Sequence, residues 1–117
     1  MISLTEEMLT TKPEEFAKKI AKIDKSTQIR KFYNDFLILQ AKAKDCETEE
    51  EFKEKILPLI YFSKAKLAYA KGRKTISEEF MKEIDYWIGQ IKSRNDFENF
   101  MYYYQALIGY ATFHLKA

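Results

Sequence analysis

Apolar residues along this chain recur every three or four positions in blocks, and most blocks open on a polar, turn-forming residue. Phe16, Ala17, Ile20 and Ile23 form the first block, behind Thr11-Lys12-Pro13-Glu14. That tetrapeptide has the Thr-x-x-Glu spacing of a capping box with proline in the first turn. Asp24 to Thr27 interrupts the pattern, and Ser26 is the expected cap of a second helix. There Ile29, Phe32, Tyr33, Phe36, Leu39 (or Gln40) and Ala43 make one stripe, with Arg30, Lys31, Asn34 and Asp35 on the opposite side. Thr48-Glu49-Glu50-Glu51 repeats the capping-box spacing, and its acids suit the positive end of a helix. The next stripe, Phe52, Ile56, Leu59, Ile60, Leu67 and Ala70, runs straight through Pro58. Proline inside a helix costs about 3 kcal/mol. The pattern therefore predicts a kink or break near 54–57, then a helix to Lys71 with Gly72 as its left-handed stop. Ser77 opens another helix carrying Ile84, Trp87, Ile88 and Ile91, and Asn95-Asp96-Phe97-Glu98 opens the last, which runs to about Leu115.

The last helix is apolar nearly all round. Phe97, Phe100, Met101, Tyr104, Ile108, Ala111 and Leu115 form one stripe, and Tyr102, Tyr103, Ala106, Tyr110 and Phe113 much of another. Such a helix is central to a bundle or shared with a partner. Three successive tyrosines, Tyr102 to Tyr104, spread round most of the circumference, so core or subunit contact is expected of them rather than base stacking. The whole reads as all-α: a compact bundle of about five helices in a single domain, residues 1–117, with residues 1–10 flexible or loosely packed. Only three glycines and two prolines punctuate 117 residues that are 46% apolar, which excludes disorder and turn-rich β folds. Gly89 and Gly109 fall inside helices, where each costs roughly 1 kcal/mol against alanine. Close helix–helix approach is the expected reason.

Little catalytic chemistry is available. One histidine (His114) and one cysteine (Cys46) are too few for a triad, a two-histidine zinc site or a disulfide. The glycines are isolated, so no phosphate-cradling loop exists. The reading is a non-enzyme with no cofactor and no metal. Nothing at the N-terminus resembles a signal peptide, and no apolar run approaches the roughly 18 residues of a membrane span. A cytoplasmic protein without a membrane partner is expected.

Charge is more telling. Twenty Lys and Arg face eighteen Asp and Glu, yet no acid occurs between Lys55 and Ser77. That interval carries Lys64, Lys66, Lys71, Arg73 and Lys74. Because charges beyond roughly 8–10 Å are screened at physiological salt, a polyanion senses such a local clearing more than net charge. Lys64 and Lys71 are seven apart and share a helix face, as do Lys66 and Arg73, with the apolar stripe between the two rows. Arg30 and Lys31 open the second helix inside another acid-free interval, where their charge opposes the helix dipole. A surface that grips phosphates is one reading, and an ordinary solvated lysine face has the same composition.

These segments resemble the small helical subunit of type III-A CRISPR effector complexes, the Csm small-subunit family. The resemblance rests on Ser26-Thr27-Gln28-Ile29-Arg30-Lys31-Phe32-Tyr33-Asn34, on Leu57-Pro58-Leu59 followed by Lys64-Ala65-Lys66-Leu67-Ala68-Tyr69-Ala70-Lys71-Gly72-Arg73, and on the aromatic segment from Phe97 to Tyr110. It implies a non-catalytic subunit that repeats along an effector complex and contacts CRISPR RNA and target RNA, other Csm subunits and copies of itself. Position by position it makes Gln28, Arg30, Lys31, Lys64, Lys66 and Arg73 RNA-contact candidates, to which the charge pattern adds Lys71 and Lys74. After Tyr110 stand Ala111 and Thr112 where the family pattern has His or Lys, so no function is carried to that end. Two alternatives stay open: a helical DNA-binding regulator, and a helical adaptor that binds only proteins.

Overall fold

The described residues, 1–115, of the structure, a computed structural model, contain seven helices joined by short turns and no strand. In chain order they are α1 (Glu6–Leu9), α2 (Thr11–Ile20), α3 (Ser26–Ala43), α4 (Glu49–Lys55), α5 (Leu57–Gly72), α6 (Glu78–Gln90) and α7 (Arg94–Leu115). The five longest are the five the periodicity predicts; α1 and α4 are short. The side chain of Leu115, expected in the apolar stripe, lies outside the described residues.

Helix α7 is the centre of the bundle. It packs against α2 and α3 most extensively and also against α1 and α4, while α5 lies on α6, α4 and α3. Phe36 of α3 meets Phe100, Tyr104 and Phe97 of α7 with ring centroids 5.2, 6.0 and 6.5 Å apart. Such tilted and edge-on aromatic pairs add to the burial of their large apolar area. The two fully buried tyrosines keep their hydroxyls bonded: Tyr104 donates to the Ile29 carbonyl (2.6 Å) and Tyr103 to the Glu83 carboxylate (2.8 Å). Burial, and then the nearby charges of Asp35 and Asp24, push the Tyr104 hydroxyl well above its usual value, so it remains a donor. Tyr102, between the neighbouring faces, is exposed.

The N-terminal segment differs from expectation. Ile2 is only 2% exposed; its N–H donates to Asp96 (2.8 Å) and its carbonyl accepts from Asn99 (2.9 Å). Met8 is buried as well, so residues 1–10 hold core side chains because α7 offers them polar anchors. Burial pushes the Asp96 carboxyl up. The N–H donations from Ile2 and Lys92 and the Ser93 hydroxyl outweigh this and hold it below the ordinary aspartate value.

Helix ends follow the sequence in some places and not in others. Thr48 and Ser77 cap as expected, accepting from the N–H groups of Glu51 and Phe80. The break at Ile56 falls where Pro58 requires it, with the proline in the first turn of α5. Thr11 does not cap: α2 begins on it, and the Thr10 hydroxyl turns back to the Glu6 carbonyl instead. Ser26 likewise sits inside α3, behind Lys25. Ser93, rather than Asn95, accepts from Asp96 N–H at the head of α7.

Gly72 is not the left-handed stop. Helix α5 continues through it, and the positive φ of 63° belongs to Lys74. Lys74 N–H bonds the Lys71 carbonyl and Thr75 N–H the Ala70 carbonyl, both at 3.0 Å, which is a Schellman closure with lysine in glycine's usual place. Burial of Ile76 fixes where the chain must turn, and that outweighs the roughly 1–2 kcal/mol a non-glycine residue loses in this conformation. Nor do the helix glycines mark close approach of helices. A methyl group on Gly109 would meet nothing within 4 Å, and one on Gly89 would meet only the Lys64 ammonium, at 3.4 Å.

Candidate nucleic-acid interface

An open groove of about 660 Å³ lies between the first half of α3 and the second half of α5. Helical periodicity decides what reaches it. From α3 come Gln28, Lys31, Phe32 and Asp35, and from α5 come Phe62, Ala65, Lys66, Tyr69, Ala70 and Arg73, with Thr75 closing one end. Phe32 and Ala70 are buried and form the floor; Lys31, Lys66 and Arg73 are exposed on the walls.

Three cations and one carboxylate therefore line the groove. Among the described residues, no carboxylate is ion-paired with Lys31, Lys66 or Arg73; the lysine–carboxylate pairs that form are Lys55–Glu51 and Lys82–Glu78. Instead the α5 cations lean on rings of their own helix. The Lys66 ammonium lies 5.7 Å from the centroid of Phe62, and the Arg73 guanidinium 5.7 Å from that of Tyr69 while donating to its hydroxyl (3.1 Å). Helix α3 has no acidic residue in its first turn and no side-chain cap, so its positive end adds to the potential near Gln28.

The groove's walls are tied together at one end by a residue the sequence does not advertise. Asp24 lies just before α3 and is buried. Its carboxylate accepts from the backbone N–H of Ser77 (2.7 Å) and from the Ser77 hydroxyl, just beyond α5. Ser77 in turn caps α6 by accepting from Phe80 N–H (3.0 Å). One carboxylate thus fixes the spacing between the turn that leads into Gln28 and Lys31 and the turn that follows Arg73.

A family model described as Csm2 Type III-A matches residues 3–116, nearly the whole chain. The chain belongs to the Csm2 Type III-A family. No curated protein and no solved structure matches it. Membership makes the Csm2 chain a small subunit of a type III-A CRISPR complex, with other Csm subunits as its partners. Among the described residues, no helix is long and apolar enough to cross a membrane.

In this Csm2 chain the eight candidate contact residues divide evenly. Gln28, Lys31, Lys66 and Arg73 share the groove. Arg30 does not: it donates to the Thr112 hydroxyl (3.1 Å) and links α3 to α7. Lys64 lies against Gly89 of α6, on the other side of α5, and half-buried Lys71 follows it one heptad later on that side. Lys74 is exposed in the turn beyond α5. Sequence reasoning did not single out Phe62, Tyr69, Asp35 or Thr75 as site residues. The first two carry a readable signal, since aromatic and cationic residues alternate as Phe62, Lys66, Tyr69 and Arg73 at helical spacing.

Proposed function

We propose that this Csm2 chain is a non-catalytic subunit that holds the backbone of CRISPR RNA or its target RNA in the groove between α3 and α5, without reading sequence. The observation that carries the reading is the arrival of Lys31, Lys66 and Arg73 from two helices on one open surface, none of them ion-paired with a carboxylate among the described residues. Phosphates and sugars are common to every sequence, so contacts confined to them suit a subunit that must accept any guide. Arg73 is able to fork onto phosphate oxygens, the lysines supply point charge, and Gln28 offers a neutral donor and acceptor to a ribose hydroxyl. Three exposed contacts bind weakly. Copies of the subunit associating along one strand turn weak contacts into avidity.

Anisotropy of two labelled single-stranded RNAs of unrelated sequence, titrated with the intact protein at rising salt, tests this directly. The two RNAs are expected to bind within about threefold of each other. The log–log salt slope is expected near −2, from three neutralised phosphates at about 0.7 each. A slope of zero, or clear preference for duplex DNA at equal salt, contradicts the proposal.

A further inference from the structure

A groove that held only phosphates would have no use for exposed aromatic rings, yet this one displays two. Phe62 is 58% exposed and Tyr69 65% exposed, the latter with the Arg73 guanidinium already seated beside it. Leaving such area in water forgoes the stabilisation its burial would bring, so exposed rings beside cations call for a reason. Exposed Tyr102 also stands without an aromatic neighbour among the described residues but lies outside the groove, and the two remaining exposed rings differ. Tyr86 packs on Trp87 (5.5 Å) and Phe113 on His114 (5.1 Å), whereas neither Phe62 nor Tyr69 has an aromatic neighbour among the described residues. Along α5 the order is ring, cation, ring, cation, at steps of four, three and four residues, all on one face.

We infer that Phe62 and Tyr69 are stacking platforms for the bases of unpaired nucleotides, and that the groove therefore takes single-stranded RNA in preference to a continuous duplex. The inference rests on the RNA-backbone reading above and adds to it the state of the strand. Every base has a π-face, so stacking on a ring is as indifferent to sequence as phosphate contact is. In a duplex those faces are covered by neighbouring base pairs. The two rings are seven residues apart, about 10.5 Å along the helix axis, too far to sandwich one base between them. Each is a separate platform, with the cation four residues on (Lys66 after Phe62, Arg73 after Tyr69) placed for the adjoining phosphate. Asp35, one turn beyond Lys31 on the α3 wall, repels phosphates from its own end of that wall.

Phe62→Leu/Tyr69→Leu tests the platforms, because both positions are exposed and leucine keeps apolar bulk without a π-face. The probes are a short single-stranded RNA containing 2-aminopurine and its fully paired duplex. The intact protein is expected to quench 2-aminopurine on binding and to favour the single strand. The double variant is expected to lose the quench and about tenfold or more of the single-strand affinity. It is also expected to keep its salt slope and its weaker duplex binding. If the intact protein binds the single strand with the expected salt slope, but the variant binds equally tightly and neither quenches, stacking is overturned and the backbone reading stands. Equal affinity of the intact protein for single strand and duplex also overturns the inference. If the intact protein binds neither RNA, both readings fall.

Discussion

Alanine at Lys31, Lys66 and Arg73 together is expected to lower RNA affinity about 10- to 100-fold near physiological salt. The size follows from three exposed charge contacts at about 0.5–1 kcal/mol each, with 1.4 kcal/mol to each tenfold. The triple variant is also expected to lose most of the salt slope, because no phosphate in the groove is then neutralised. Thermal stability should change little, since all three side chains are exposed and none closes an ion pair with a described residue. The matched comparison is Arg30→Ala/Lys64→Ala, which removes two cations outside the groove. Its effect on RNA affinity is expected to stay within about threefold, the range of a long-range screened charge. Equal losses in the two variants would mean that RNA senses the overall charge of the chain and not the groove.

The second large effect falls on a residue that never touches RNA. Asp24→Ala removes the bridge from the turn before α3 to Ser77, the cap of α6 at the end of the turn beyond α5. Two hydrogen bonds to a buried carboxylate are lost and a partly buried N–H is left without a partner, a destabilisation of about 2–4 kcal/mol. The Asn variant keeps an acceptor for the Ser77 N–H and an amide able to donate to the Ser77 hydroxyl, so it is expected to lose markedly less. Urea denaturation midpoints at constant m value measure both. Where Asp24→Ala is still folded, RNA affinity is expected to fall several-fold as the end of the groove loosens. A loss of stability within about 0.5 kcal/mol, the range of ordinary surface substitutions, would show that the bridge does not hold the walls.

The bundle is legible in the sequence wherever local chemistry alone decides. Pro58 forces the break at Ile56, and Thr48 and Ser77 cap because their hydroxyl oxygens are left to accept from the helix N–H groups, Ser77 while donating to Asp24. The stripe through Phe97, Phe100 and Tyr104 is buried against Phe36. Features set by distant neighbours are not legible. Thr11 looks like a cap, but with α1 directly before it α2 begins on Thr11, and the Thr10 hydroxyl bonds back to the Glu6 carbonyl. Gly72 looks like a left-handed stop, but α5 ends on it in helical conformation and the left-handed residue is Lys74, two positions further, just before buried Ile76. Residues 1–10 look loose until Asp96 and Asn99 anchor Ile2.

The groove shows the same division. That Lys66 and Arg73 share one face of α5, and Lys64 and Lys71 another, follows from spacing. The two rows stand about 200° apart around the helix, on either side of its buried stripe. Nothing local says which row looks toward α3 and which toward α6. Packing of α5 on both neighbours decides it, placing Lys66 and Arg73 in the groove and Lys64 over Gly89. The same holds for Arg30 and Lys31, adjacent in sequence and about 100° apart on α3, of which only Lys31 faces the groove.

The location of bound RNA is the point on which everything functional turns. It is read most directly by titrating ¹⁵N-labelled protein with single-stranded RNA and following backbone amide shifts. The largest changes are expected at Gln28 to Lys31 and from Phe62 to Thr75, on both walls at the same RNA concentration. Changes confined to α6 and to the exposed side of α7, with those two segments unmoved, would contradict it.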